Sequence, residues 1–208
     1  VEMTTKLAYI NIKTYSEVIQ ESLSQIGMFL DMDRVYIANY NSRNKSLDIE
    51  FEYHSKDVKP HKDHKNISLA TIKEKTRSLH QKGIMVIYED TSVVGNDNKL
   101  FDVLVSQDTK SLVTIPLMDD SNCFGFIGFE DIIVKHTHKD NEINLLKIFT
   151  KNIEAAILKN ANLILVDDLE QRVEQALVEK NEFLSRMSHE FRTALHGIKN
   201  ALYLLEST

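Results

Sequence analysis

The chain has 208 residues, enough for one domain with an extension or for two small ones. Hydrophobic residues at 42% and charged residues at 27%, with 6 Gly and 2 Pro, match a globular protein and leave little material for disordered or collagen-like stretches. The balance of 25 Lys and Arg against 31 Asp and Glu gives a formal net charge of -6, which argues against a nucleic-acid partner or general attraction to anionic surfaces.

One cysteine, Cys123, excludes an internal disulfide, a CxxC redox pair and a cysteine-rich zinc site, and fits a reducing compartment. No apolar run approaches the roughly 20 residues needed to span a bilayer, and the N-terminus lacks the marks of a signal peptide. The expected location is cytoplasmic, whatever attachment a parent protein carries elsewhere.

Residues 14–30 place Val18, Ile19, Leu23, Ile26 and Leu30 at helical spacing and predict an amphipathic helix. Arg34 to Tyr40 and Leu47 to Tyr53 alternate apolar and polar around a turn-rich NSRNK segment, which predicts a hairpin. The run 55–65 is charged and turn-like, 67–80 is expected to hold a short helix, and Ile84 to Tyr88 a strand. Residues 91–109 read as a loop with a helical turn around Leu100 to Val105. Ser111 to Met118 and Cys123 to Ile133 are rich in β-branched and aromatic residues, and the DDSN turn between them completes a second hairpin. Gly125 and Gly128 interrupt its second strand and mark a bulge or a close approach to the backbone.

Thr137 followed by Asp140 reads as a capped helix start. From there to the end the chain has no proline and only Gly197, so helix is expected almost throughout, approaching about 100 Å in length. Leu163, Glu170, Leu177, Leu184, Phe191, Ile198 and Leu205 lie seven apart, and Val166, Val173, Lys180, Met187, Ala194 and Ala201 follow at heptad d positions. That repeat predicts a parallel coiled coil, hence a homodimer, with Glu170 and Lys180 as polar breaks that set register.

The stretch FLSRMSHEFRT, Phe183 to Thr193, followed by Leu195 and Gly197, resembles the phosphoacceptor box of sensor histidine kinases in two-component signalling. With Leu184 at a and Met187 at d, His189 falls at f, facing away from the seam, as a group that exchanges phosphoryl with mobile partners must. The resemblance implies His189 as phosphoacceptor, Glu190 as the general base that fixes the imidazole tautomer, and Thr193 as the residue orienting water for dephosphorylation of a response-regulator receiver domain. The family usually carries proline where this chain has Ala194, so the usual helix kink is expected to be absent. The second helix of the phosphoacceptor bundle and the ATP-binding domain are not found in these residues. The chain is therefore expected to be a fragment of a larger kinase, with ATP and Mg belonging to the kinase domain, no cofactor of its own and no autophosphorylation alone.

The preceding elements resemble a GAF domain in order, on the DRVYIANY, SLVTIPLM and CFGFIGFEDI strands between an opening and a closing helix, with a PAS domain as the alternative. The resulting expectation is an α+β fold: a GAF-like antiparallel sheet flanked by helices over 1–160, a signalling coiled-coil linker over 161–180, and the first phosphoacceptor helix over 181–208. The GAF resemblance leaves the small-molecule ligand unknown. A covalent bilin would need Cys123, which reads instead as a small buried or edge residue. Asn98-Lys99, Phe126 and Glu130-Asp131 imitate a cyclic-nucleotide signature with its acidic order reversed. Tyr36, Phe51, Tyr88, Phe101 and Phe129 are candidate cavity walls. His54, His61, His64, His136 and His138 sit in lysine-rich turns read as solvated, so no metal is expected. A catalytic GAF protein such as a methionine sulfoxide reductase would need cooperating cysteines.

The functional expectation is a sensory and dimerisation fragment of a sensor histidine kinase, relaying the input domain's state to His189. The alternative is an interaction protein that binds or inhibits another histidine kinase through mixed dimers.

Overall fold

A computed structural model describes residues 6–41, 43, 45–61, 65–68, 74–91 and 109–206. Helix α1, Tyr15–Phe29, follows an Asn11 side chain that accepts the amides of Lys13 and Thr14 at 3.0 and 3.1 Å. Its apolar stripe buries Ile19, Leu23 and Ile26. It ends where Asp31 adopts φ 55, a left-handed conformation that aspartate tolerates, and Met32 N–H turns back to the Gly27 carbonyl at 2.9 Å.

Strands β1, Arg34–Asn41, and β2, Ser46–His54, form the first hairpin, with β3, Ile67–Ser68, on its outer edge. Helix α2, Glu74–Gln81, leads to β4, Val86–Tyr88. Strands β5, Ser111–Asp119, and β6, Asn122–Asp131, form the second hairpin around Asp120-Ser121, where Asp120 takes φ 50 as a tight primed turn requires. The six strands lie in the order β3-β2-β1-β6-β5-β4, antiparallel throughout. Helix α3, Asp140–Glu206, follows.

The expected helix over 67–80 is corrected in its first part: Ile67 and Ser68 pair with Leu47 and Ser46 as an edge strand, and helix is present from Glu74. A β-branched residue beside an open sheet edge gains more from pairing than from starting a helix. The start of α3 is also shifted. Rather than Thr137 and Asp140, Lys139 holds the cap position and Glu142 reaches back to accept its amide at 2.9 Å, so the capping carboxylate lies two residues later than expected. The turn expected near Leu100 to Val105 lies outside the described residues.

The sheet has two different faces. One packs under α1 and the start of α3 in a core of Val35, Ile37, Val113, Leu117, Ile127 and Phe129 with Ile19, Leu23, Leu146, Phe149 and Ile153. Each such side chain contributes roughly 1.5–3 kcal/mol on burial. The opposite face carries Tyr36, Ala38, Leu47, Ile49 and Phe126. A bulge at Glu50 moves β2 from one face to the other: Ile37 pairs with Phe51 but Ala38 with Ile49, so Phe51 joins the helix-covered core and Ile49 the opposite face.

Gly128 carries the close approach expected of it, since a Cβ there would run into the Tyr36 ring. Compactness divides the chain into residues 1–160 and 161–208. In the second unit α3 continues unbroken through Ala194, and Val166, Val173, Leu177, Leu184, Phe191 and Ile198 are all at least half exposed. The heptad positions Ala201 and Leu205 lie beyond the described side chains. No helix among the described residues is long and apolar enough to cross a membrane.

Candidate functional site

On the sheet face away from α1, in-phase positions of three neighbouring strands hold charge. Arg34, Glu52 and Glu130 come from β1, β2 and β6, and the segment after β2 lays His61 over them. Arg34 Nη1 donates to Glu130 Oε2 at 2.8 Å, Nη2 donates to the Lys59 carbonyl at 2.7 Å, and Nε lies 3.4 Å from Glu52 Oε1. The His61 amide donates to Glu52 Oε1 at 3.0 Å, its Nδ1 lies 3.2 Å from Glu52 Oε2, and its Nε2 lies 3.8 Å from Glu130 Oε1. Tyr36 donates its hydroxyl to Glu130 and stands edge-on to the His61 ring at 4.6 Å.

All four charged side chains are at most 7% exposed. Burial alone would disfavour the charged forms of His61 and Glu130, yet the network reverses that. Burial pulls the His61 pKa down, but hydrogen bonds to Glu130 and Glu52 outweigh it and hold the imidazole above its ordinary value. Burial pushes Glu130 up, but hydrogen bonding and charge from His61, with charge from Arg34, hold it below the usual carboxylate range. With His61 protonated the quartet carries two positive and two negative charges and is neutral as a whole. Tyr36 is raised well above its ordinary value, by burial first and then by the Glu130 charge.

Farther along the same face, His80 of α2 is fully buried. Its Nδ1 meets the Tyr40 hydroxyl at 2.8 Å and its Nε2 the Thr114 hydroxyl at 2.9 Å, with the Phe126 ring 5.0 Å away. A neutral imidazole needs one donor and one acceptor, which two hydroxyls supply in either tautomer. Burial lowers its pKa to about 4, so it stays uncharged at neutral pH. These residues tie α2 and the segment after β2 to the sheet, forming a polar and aromatic floor on this face.

The candidate walls separate between the two faces. Tyr36 belongs to this floor, whereas Phe51 and Phe129 pack on the helix-covered side and cannot line it. Tyr88 meets Thr76 at 2.8 Å through its hydroxyl. Phe101, Asn98, Lys99 and His64 lie outside the described residues. Of the imitated nucleotide signature, Glu130 is paired with Arg34 and Asp131 accepts the Ser111 hydroxyl at 2.5 Å. The reading of the histidine turns as solvated is corrected: His54 is exposed, but His61 is 4% exposed and the His138 side chain 1%. Lysines flank them in sequence, but loop packing turns the imidazoles inward.

Cys123, the second residue of β6, donates to the Gly125 carbonyl at 3.2 Å and has its thiol pKa raised by burial. A thiol held protonated is a poor nucleophile for a covalent chromophore. His189, Glu190 and Thr193 stand together on exposed turns of α3, and the Thr193 hydroxyl donates to the His189 carbonyl at 3.0 Å.

Sequence spacing marks His61 and Glu130 only separately and leaves Arg34, Glu52 and His80 without a role. The available signal was phase: Arg34 alternates with Tyr36, Ala38 and Tyr40, and Glu130 with Phe126 and Gly128, so both charges sit at inward positions of strands.

A GAF domain family model matches residues 14–157. No curated protein sequence matches significantly. Among solved structures, the chain is similar to the GAF3 domain of a Synechocystis sp. PCC6803 protein in its photoproduct state, at 17% identity and TM-score 0.60 over 73% of this chain and 97% of that one. It is also similar to a phycoerythrobilin-bound GAF domain from a cyanobacterial phytochrome, at 15% identity and TM-score 0.63 over 75% and 90%. A phycocyanobilin-bound GAF domain from a cyanobacterial phytochrome matches at 16% identity and TM-score 0.61 over 70% and 85%. At these identities the likeness is one of fold.

Proposed function

The chain belongs to the GAF domain family through residues 14–157, and on that premise we propose that it is the sensory and dimerisation segment of a two-component sensor histidine kinase. The observation that carries this reading is the continuity of α3. Its first turns fill the GAF core with Leu146, Phe149 and Ile153, and the same helix carries the FLSRMSHEFRT box. A ligand or contact that repacks the core acts on that helix, and a coil with two packings converts the change into a different presentation of His189.

In this reading the exposed apolar seam from Val166 to Ile198 pairs with a second copy. His189 offers a neutral ring nitrogen to the γ-phosphorus of ATP bound with Mg by a kinase domain, and Glu190 takes up the proton from the other nitrogen. Thr193 already uses its hydroxyl proton on the His189 carbonyl, so its lone pairs remain to accept from a water aimed at a receiver's phosphoaspartate. A GAF ligand is held by the polar floor without a thioether, a reading supported by the burial that raises the Cys123 thiol pKa.

Phosphotransfer in trans tests this: the chain, radiolabelled ATP and a separately purified histidine-kinase ATP-binding domain, beside His189→Gln. Label on the parent and none on the variant is the expected result; equal labelling of both, or of neither, overturns the phosphoacceptor role. Exposed Leu195 and Ile198 favour a second reading, in which the chain forms mixed dimers with another histidine kinase and inhibits it. Subunit exchange followed by energy transfer between labelled chains separates the two.

A further inference from the structure

We propose that His136, His138 and Glu142 form a binding site for one divalent transition-metal ion, zinc by its donor set, between the end of β6 and the first turn of α3. One donor atom from each residue lies within 4.8 Å of the other two, the one grouping of three such residues found among the described residues. His136 Nε2 is 3.1 Å from Glu142 Oε2, and the two imidazoles stack with centroids 4.7 Å apart at 30°. Donors on a tetrahedral zinc at about 2.0–2.1 Å stand roughly 3.3–3.4 Å from one another, so small adjustments bring these atoms onto one ion.

The second observation is His138 itself. Its side chain is 1% exposed, yet neither ring nitrogen has a hydrogen-bond partner. The nearest charge, Asp131 Oδ2, lies 3.4 Å from Nε2 without hydrogen-bond geometry. An imidazole buried with both nitrogens unsatisfied is costly. An ion pair between His136 and Glu142 accounts for those two residues, and Asp131 gives His138 a nearby charge but no hydrogen bond; a metal accounts for all three.

The surroundings suit a cation. Glu142 is held in place beforehand, because Oε2 also accepts the Lys139 amide at 2.9 Å. Asp131, fixed by the Ser111 hydroxyl at 2.5 Å, stands where a carboxylate steadies a metal-bound imidazole. His136 lines an open cleft of about 300 Å³ shared with Asp31, Asp33 and Asp131, which gives an ion a negatively charged path from solvent. Two imidazoles and one carboxylate are a borderline donor set that suits zinc better than magnesium or calcium, with the fourth position left to water. The ion would clamp the loop after β6 to the start of the helix that leaves the domain.

The test uses metal-free protein, zinc chloride alone and titration calorimetry, with cobalt substitution to read tetrahedral coordination from the visible spectrum. One ion per chain is expected, with affinity weakened at least ~10-fold in His136→Ala and in Glu142→Gln, a scale that even outer partners of a metal reach, and unchanged in His54→Ala. Both weakened variants alter partly exposed residues, so circular dichroism matching the parent keeps the comparison valid. Zinc should also raise the melting temperature of the parent and not that of His136→Ala. Absence of saturable one-to-one binding overturns the proposal, as does equal affinity in the parent and both site variants.

Discussion

Arg34 and Glu130 face each other across β1 and β6, 2.8 Å apart, with both side chains sealed from water. Neither charge is tolerable alone at that depth, and each is made tolerable by the other together with Glu52 and His61. A buried pair of this kind adds little net stability compared with apolar packing, but losing one partner strands the rest.

Arg34→Met should therefore lower unfolding stability by about 3–5 kcal/mol, because Glu52 and Glu130 would remain buried opposite His61 alone. The urea midpoint reads this. A loss under about 1 kcal/mol would mean that water reaches the quartet.

His80 gives a signed pH dependence. Its folded pKa of about 4 lies below the 6.5 of an ordinary histidine, so the unfolded chain takes the proton first. Its contribution is complete above about pH 6.5 and is lost as pH falls toward 4, amounting to about 3 kcal/mol over that window. His61 acts oppositely: its raised pKa gives stability that is complete below 6.5 and is lost as pH rises through the folded value. Stability curves for the parent and for His80→Gln should converge toward pH 4 and separate near neutrality. Parallel curves would show that His80 is not what titrates.

Gly128→Ala should destabilise by about 1–3 kcal/mol, since the new methyl group meets the Tyr36 ring. Tyr36→Ala in the same chain should remove most of that added cost, giving a non-additive double-mutant cycle measured by denaturant unfolding. Additive effects would place the strain in the backbone instead.

If the seam of α3 joins two chains, Leu177→Glu should weaken dimerisation by about 100-fold or more, the equivalent of about 3 kcal/mol for burying a charge in place of a leucine. Sedimentation equilibrium would show a dimeric parent and a largely monomeric variant. A parent that stays monomeric at high concentration removes the coiled coil from the proposed function.

Local patterns carried much of the fold. Ile19, Leu23 and Ile26 announced α1 by their spacing, the alternation around Val35 and Ile37 announced a strand, and the absence of proline after Thr137 announced a long helix. These readings work because helix and strand repeat over a few residues, and the side chains record that repeat. The reading failed where a distant partner decided: Ile67 and Ser68 became strand because the edge of β2 was open to them, and the cap of α3 moved because Glu142, rather than Asp140, could reach the Lys139 amide.

By itself the sequence determined the two hairpins, the long closing helix, its heptad and the exposed line of His189 and Thr193, all of which follow from residue spacing along one element. Only the tertiary structure decided that Phe51 and Ile49 part to opposite faces at a bulge, that Arg34, Glu52, His61 and Glu130 meet, and that His138 is buried beside Asp131. Those outcomes depend on the strand order β2-β1-β6 and on where the connecting loops fold back. Charge neutralisation and burial are properties of neighbours in space, and residues nearly a hundred positions apart become neighbours only once the sheet has formed.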